Sequence, residues 1–205
     1  MSACAGSNIA VILAGGQSRR MGRDKLELPY GNETLLRRAA RLYSGCFDRV
    51  YLSVSNGEKY ADLGVERIED VFRGCGPMAG LHAALSKTDA DGVFLLAADL
   101  PFANPEAARF LTLRGRGRDA CIIRTDDGYY EPLFGYYARS MLPRAQEALA
   151  AGLYAMTSLY RAADVCFVSI AELGGLWREN MLLNINSPAD YERAIIETDK
   201  GRDAL

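Results

Sequence analysis

IAVILAGGQSRRMGRDK, residues 9–25, joins a compact apolar run to a pair of glycines and then to a cluster of positive charge. Residues 9–13 are apolar and β-branched, with no polar alternation. That pattern predicts a strand buried on both faces, as in a parallel sheet. Gly15 and Gly16 lack Cβ, so the backbone can turn sharply there and bring its N–H groups against a ligand. Arg19, Arg20, Arg23 and Lys25 follow, opposed within residues 19–25 only by Asp24. Guanidinium and ammonium donors suit phosphate oxygens. The stretch reads as a phosphate site; the alternative is a tight turn leading into a solvated basic loop. It is neither of the two common nucleotide loops. Gly22 is followed by Arg23 rather than by Lys-Ser/Thr, and the glycines miss the G-x-G-x-x-G spacing.

The charge is local. In 205 residues, 24 Lys and Arg stand against 26 Asp and Glu, a formal net charge of −2. That is no footprint for nucleic acid or for an anionic membrane. Five cysteines lie far apart, none at C-x-x-C spacing, which argues against a disulfide framework or a structural zinc site and predicts a reducing, cytoplasmic setting. No apolar stretch approaches the ~18 residues of a membrane span, and no signal peptide is expected.

Further along the chain, strand patterns alternate with helical ones. Strands are expected at residues 50–54, 65–68, 93–98, 121–124, 133–137 and 165–170. Helices are expected after a cap at Asn32 with Gly45 as the stop, at 80–85 after a GPMAG turn, and at 105–113, 141–151, 157–163 and 188–198. Residues 15–31 read as one long loop. The alternation implies βαβ units and an α/β fold: a single Rossmann-like domain, residues 1–205, with a doubly wound, mostly parallel sheet. Residues 1–7 and 199–205 are expected to be flexible termini. Ligands of such sheets sit beyond the carboxyl ends of the strands, which selects the loops after Leu13, Val54, Ile68 and Ala98.

Asp99 ends the apolar run 93–98. A carboxylate at a buried strand tip suits Mg2+, which takes carboxylates, waters and substrate phosphates; the alternative is a helix cap or turn residue. Asp70 also follows a strand and has the same alternative. Asn184 and Asn186, two apart in an extended stretch, project to one side, while Ser187-Pro188 makes a helix start. His82, the only histidine, is expected to pack in its helix. No Gly-x-Ser-x-Gly elbow is present, so serine hydrolase chemistry is not indicated.

LAGGQSRRMGRDK resembles the L-A-G-G-x-S-x-R-M-G-x-D-K signature of nucleotidyltransferases, and within them the molybdenum cofactor guanylyltransferase (MobA) family. Four more motifs follow in order: Ile68-Glu69-Asp70 with Gly76-Pro77-Met78-Ala79-Gly80, then Asp99-Leu100-Pro101, Glu131-Pro132-Leu133 through Tyr136, and Asn184-Ile185-Asn186-Ser187-Pro188. The resemblance implies a fold of the nucleotide-diphospho-sugar transferase type. It implies a transferase of molybdenum cofactor biosynthesis that uses GTP and Mg2+, passing GMP to the terminal phosphate of molybdopterin to give molybdopterin guanine dinucleotide and pyrophosphate. Related enzymes with the same loop use CTP or another NTP and a pterin, sugar or alcohol phosphate, and a non-catalytic nucleotide-binding regulator is a further alternative. By the same resemblance Leu13, Ala14 and Gly15 line the guanine and ribose, and Gly16, Arg20 and Lys25 face the triphosphate. Ser55 or Asn56, together with Asp70, contacts the nucleoside, and the Gly76 to Gly80 segment passes the base. Asp99 holds the metal, with Asn184 or Asn186 near the metal or the acceptor. Lys25, Arg20 and Asp99 are the expected catalytic residues. Transient docking to molybdopterin-delivering or molybdoenzyme-acceptor proteins would follow.

Overall fold

In the computed structural model, residues 7–15, 24–55 and 60–203 are described, 199–203 by their backbone alone. The first strand, β1 (Ile9–Leu13), lies inside a seven-stranded sheet, next to its central strand. The other strands are β4 (Arg49–Val54), β5 (Glu66–Glu69), β6 (Gly92–Ala97), β7 (Ala120–Arg124), β8 (Tyr130–Ala138) and β9 (Val165–Ser169). Their order is β5-β4-β1-β6-β8-β7-β9, and β8 alone runs against its neighbours. β2 (Pro29–Tyr30) and β3 (Glu33–Thr34) form a separate hairpin.

β1 reads as a continuous apolar run because both of its faces are covered. Ala10 and Ile12 join the core under α1 (Leu35–Ser44) and α3 (Pro105–Gly115); Ile9 and Val11 join the core under α2 (Pro77–Lys87) and α4 (Leu142–Ala150). The period of two along a strand sends alternate residues to opposite layers. Leu13 is level with Ser53 of β4 and Ala97 of β6, so the loops after these strands open at one end of the sheet. The ladder continues one step beyond, through Ala14 N–H to the Ser53 carbonyl (2.9 Å) and Ala98 N–H to the Leu13 carbonyl (3.2 Å). A short helix, α5 (Ile170–Leu173), follows β9.

The last helix, α6 (Pro188–Asp203), runs past the expected end at 198. It opens on a reciprocal cap in which Ser187 N–H donates to Asp190 Oδ2 (2.8 Å) and Asp190 N–H to Ser187 Oγ (3.2 Å). Leu28, Tyr30 and Leu35 pack with Ile185 and Ala194 into a small third core. This cluster ties residues 24–35 to the C-terminal segment. Ile185 N–H donates to the Asp99 carbonyl (3.0 Å), which fastens the same segment to the tip of β6.

Several local expectations are corrected. Asn32 does not cap α1. It lies in the turn of the β2–β3 hairpin beside Gly31, whose φ of 67° a two-residue turn requires. The cap is Thr34, whose side chain accepts from Arg37 N–H at 3.3 Å. Residues 15–31 are not wholly loop, since a 3-10 turn occupies Lys25–Glu27 and a strand Pro29–Tyr30. α2 starts at Pro77, inside the GPMAG segment. The helix expected at 157–163 is only a 3-10 turn, Met156–Tyr160, because Arg161 is extended and Ala162 is left-handed at φ 57°. Among the described residues no helix is long and apolar enough to cross a membrane.

Candidate active site

The carboxyl ends of β1, β4, β5 and β6, the amino end of α2 and the 184–186 segment enclose a cleft of about 330 Å3. Leu13, Ala14, Gly15, Lys25, Asp70, Gly76, Gly80, Asp99, Asn184 and Asn186 all line it. Gly16, Arg20 and Asn56 lie outside the described residues.

Lys25 and Asp99, 74 positions apart, form an ion pair on one wall. The ammonium also donates to the Ile185 carbonyl at 3.0 Å and to Asn186 Oδ1 at 3.1 Å. Three donors thus meet three oxygens from two distant parts of the chain. Asp24 sets the lysine's approach by capping the 3-10 turn that Lys25 begins, accepting from Leu26 N–H at 3.1 Å. Asp99 Oδ1 is buried with no hydrogen-bond partner among the described residues. The helix-cap alternative for Asp99 falls away, because Asn104 caps α3.

On the opposite wall Asp70 faces Gly15, and its Oδ1 accepts from Ser53 Oγ at 2.8 Å. It is no surface turn residue. Burial pushes its carboxyl above the usual value, against the pull of the Ser53 bond and the Lys87 charge. A carboxylate with a raised folded-state pKa weighs against the fold once ionised. Asp70→Asn is therefore expected to raise the melting temperature at pH 7. The gain should vanish as the pH falls below the ordinary carboxylate value of 3.8, which melts at the two pH values will read.

Gly76 enters α2 at φ 66°, a conformation that glycine adopts without strain. From the start of this eleven-residue helix Gly76, Pro77 and Gly80 line the cleft; Pro77 has no N–H, and Ala79 N–H donates to the Gly76 carbonyl at 3.1 Å. At Gly80 a Cβ would run into Leu13 Cδ2 and come within 2.7 Å of Ser53 Oγ. Gly80→Ala should thus cost about 1–3 kcal/mol, as overpacking does, measured by denaturant unfolding. Pro77 and Leu133, members of two of the motifs, also line the cleft, as do Ser53, Leu26 and Ala97, which were not singled out from the sequence. Of these last three only Ser53 carries a signal, as the one small polar side chain within the buried run 51–54. His82 packs as expected, edge-on to Phe72 at 4.9 Å between centroids, and burial lowers its pKa.

A family model for the MobA-like NTP transferase domain matches residues 10–165. The chain belongs to the MobA-like NTP transferases. Its relatives include a probable molybdenum cofactor guanylyltransferase of Pelotomaculum thermopropionicum, 33% identical over 94% of both chains. Another, from Thermococcus kodakarensis and of the same name, is 35% identical over 90% of this chain and 92% of its own. Among solved structures, molybdopterin-guanine dinucleotide biosynthesis protein A of Archaeoglobus fulgidus superposes with a TM-score of 0.84 at 29% identity, covering 94% of this chain and 99% of that one. The MobA-like match spans β1 to the start of β9, so it takes in the glycine loop, Asp70, the start of α2 and Asp99. The asparagine segment at 184–186 lies beyond it.

Proposed function

We propose that this chain passes the GMP part of GTP to the terminal phosphate of molybdopterin, forming molybdopterin guanine dinucleotide and releasing pyrophosphate. The observation that carries this reading is the meeting of Lys25, Asp99 and Asn186 in one cleft with Gly15, just after β1. The names of the relatives supply guanine and the acceptor.

An oxygen of the acceptor phosphate attacks the α-phosphorus of GTP. One P–O bond forms, the bond to the bridging oxygen breaks, and pyrophosphate leaves with the electron pair. Little covalent help is needed from the protein; holding the reactants in line and balancing the growing negative charge supply most of the acceleration. Gly15 presents its backbone to the phosphates, and Leu13, Ala14 and Gly80 shape the slot for the nucleoside. Asp70 accepts hydrogen bonds from the nucleoside side. Lys25 exchanges its carboxylate partner for the triphosphate and steadies the α-phosphate. In this reading Gly16 and Arg20 add to the phosphate grip and Asn56 to the nucleoside contact, on the strength of the motif alone.

The cleft suits a hard divalent cation. Asp99 Oδ1 is buried and unbonded, while Asp99 Oδ2, the Ile185 carbonyl and Asn186 Oδ1 already cradle one cation, the lysine ammonium. Among the described residues no group of three or more acidic, histidine or cysteine side chains forms a closed cage. Such an open oxygen site fits Mg2+, which binds with substrate phosphates. Asp99, with Asn186 or Asn184, would hold it, and it would neutralise phosphate charge.

The test is a panel of the four NTPs with Mg2+ and molybdopterin, scored by pyrophosphate release. Release with GTP, dependent on molybdopterin, is expected. Preference for CTP would move the chain to cytidylyl transfer, and no release with any NTP would overturn the reading.

A further inference from the structure

Lys25 reaches the oxygens of Asp99, Ile185 and Asn186 on a long, flexible stem, so the ammonium is directed only as well as its own backbone is held. On the downstream side Leu28 N–H donates to the Lys25 carbonyl at 3.3 Å, and Leu28 sits in the third core. On the upstream side the holder is Asp24. Its carbonyl accepts from Glu27 N–H at 3.2 Å and its Oδ1 from Leu26 N–H. Its other oxygen, Oδ2, accepts from the hydroxyl of Tyr60 at 2.5 Å, 36 positions along the chain. That is the length of a hydrogen bond given by a hydroxyl to a carboxylate.

Tyr60 lies between β4 and β5, at the start of a 3-10 turn, Ala61–Leu63. Its φ of 60° and ψ of 33° are left-handed, a conformation that costs energy in a residue with a Cβ. Gly64, at the other end of the turn, is left-handed too, at φ 68°, and there the chain uses glycine. Strain of this kind persists where the surroundings fix the residue, and it concentrates at functional sites. The surroundings here include both chain neighbours of Lys25. The Tyr60 ring is buried in the core that holds Leu26, and its hydroxyl ends on Asp24. Tyr60 is not among the described residues that line the cleft, so it acts on the site through these neighbours or not at all. Burial and then the Asp24 bond raise the phenol's pKa, so the hydroxyl keeps its proton and remains the donor. A residue that only filled the core would need the ring and not the oxygen.

We propose that Tyr60 is a positioning residue for guanylyl transfer: through Asp24 it fixes the turn from which Lys25 starts, and so directs the ammonium onto the α-phosphate. The proposal rests on the guanylyltransferase reading and adds to it what aims the lysine. Stabilising charge in a transition state depends on donors already held in place, and a small misplacement is costly there. Binding of the triphosphate in the ground state is shared among several groups and tolerates a looser lysine. The loss of the Tyr60 bond therefore falls on the rate of transfer and spares the affinity for GTP.

Tyr60→Phe keeps the ring and removes the bond. Asp24→Asn keeps an oxygen for Leu26 N–H and weakens the same bond from its other end. Each is made in the wild-type chain and in Lys25→Ala, with single-turnover pyrophosphate release and calorimetric GTP binding measured for all. In the wild-type chain both substitutions should slow transfer about tenfold, the scale of one hydrogen bond to a charged group, with GTP affinity within about twofold. In Lys25→Ala neither should slow the residual rate by more than about twofold, because a residue that acts through Lys25 has nothing left to act on. A tyrosine that only supports the fold would slow both backgrounds by the same factor. That result refutes the proposal, as does a wild-type rate in Tyr60→Phe, and the guanylyltransferase reading survives either. If the wild-type chain releases no pyrophosphate from GTP and molybdopterin, that reading fails and the proposal with it.

Discussion

Replacing Lys25 by alanine should lower the rate of guanylyl transfer about 100- to 1,000-fold while changing the affinity for GTP only a few-fold, the pattern of a donor that acts where charge develops. Among the described residues the ammonium meets three oxygens: the Asp99 carboxylate, the Ile185 carbonyl and Asn186 Oδ1. A triphosphate entering beside the glycine turn offers the same ammonium a stronger set of anionic oxygens. Its ground-state contribution is partly offset by the bonds to Asp99 that must be given up. Its contribution to the transition state has no such offset, since negative charge gathers around the α-phosphate as the acceptor oxygen attacks and on the bridging oxygen as its bond breaks. Single-turnover rates together with calorimetric GTP binding separate the two terms. A variant that loses GTP affinity and turnover in equal measure would make Lys25 a mere anchor, and near-normal turnover would remove it from the chemistry.

Asp99→Asn is the second large effect. The substitution keeps the shape of the side chain and leaves the Ile185 N–H to Asp99 carbonyl bond in place, so the fold should be retained. It removes the charge at the one described cleft carboxylate that is paired with Lys25. The Mg2+ concentration for half-maximal activity should rise about tenfold or more, since the charge balance supplied by a metal is worth several kcal/mol. A metal titration identical to that of the wild type, with an unchanged melting temperature as control, would place the metal elsewhere.

Much of the site was legible because its residues break strong patterns. The run 93–98 is apolar without interruption, so the carboxylate that follows it stands out. The glycine pair and basic cluster stand out in the same way after β1. What brings Lys25 to Asp99 was not legible. That meeting depends on the small core in which Leu28, Tyr30 and Leu35 pack on Ile185 and Ala194, partners about 160 residues apart that no local period announces. The same limit explains Asn32. Asparagine favours both turns and helix caps, and the hairpin with Gly31 decided between them. The 157–163 segment carries no glycine or proline to end a helix, yet Ala162 turns left-handed where the chain enters β9. Ser53 had a faint signal as a small polar side chain in a buried strand. Leu133 was legible only as part of a motif; its place in the cleft comes from a bulge in β8 held by Tyr137.

The most direct test of the account is a crystal structure with Mg2+ and a GTP analogue that cannot be cleaved at the α-phosphate. The account predicts one triphosphate in the cleft, Lys25 Nζ moved from Asp99 onto its oxygens, and a metal ion bound by Asp99 and the same phosphates. A nucleotide bound elsewhere, or one bound here while Lys25 stays on Asp99 and no metal touches that carboxylate, would contradict it.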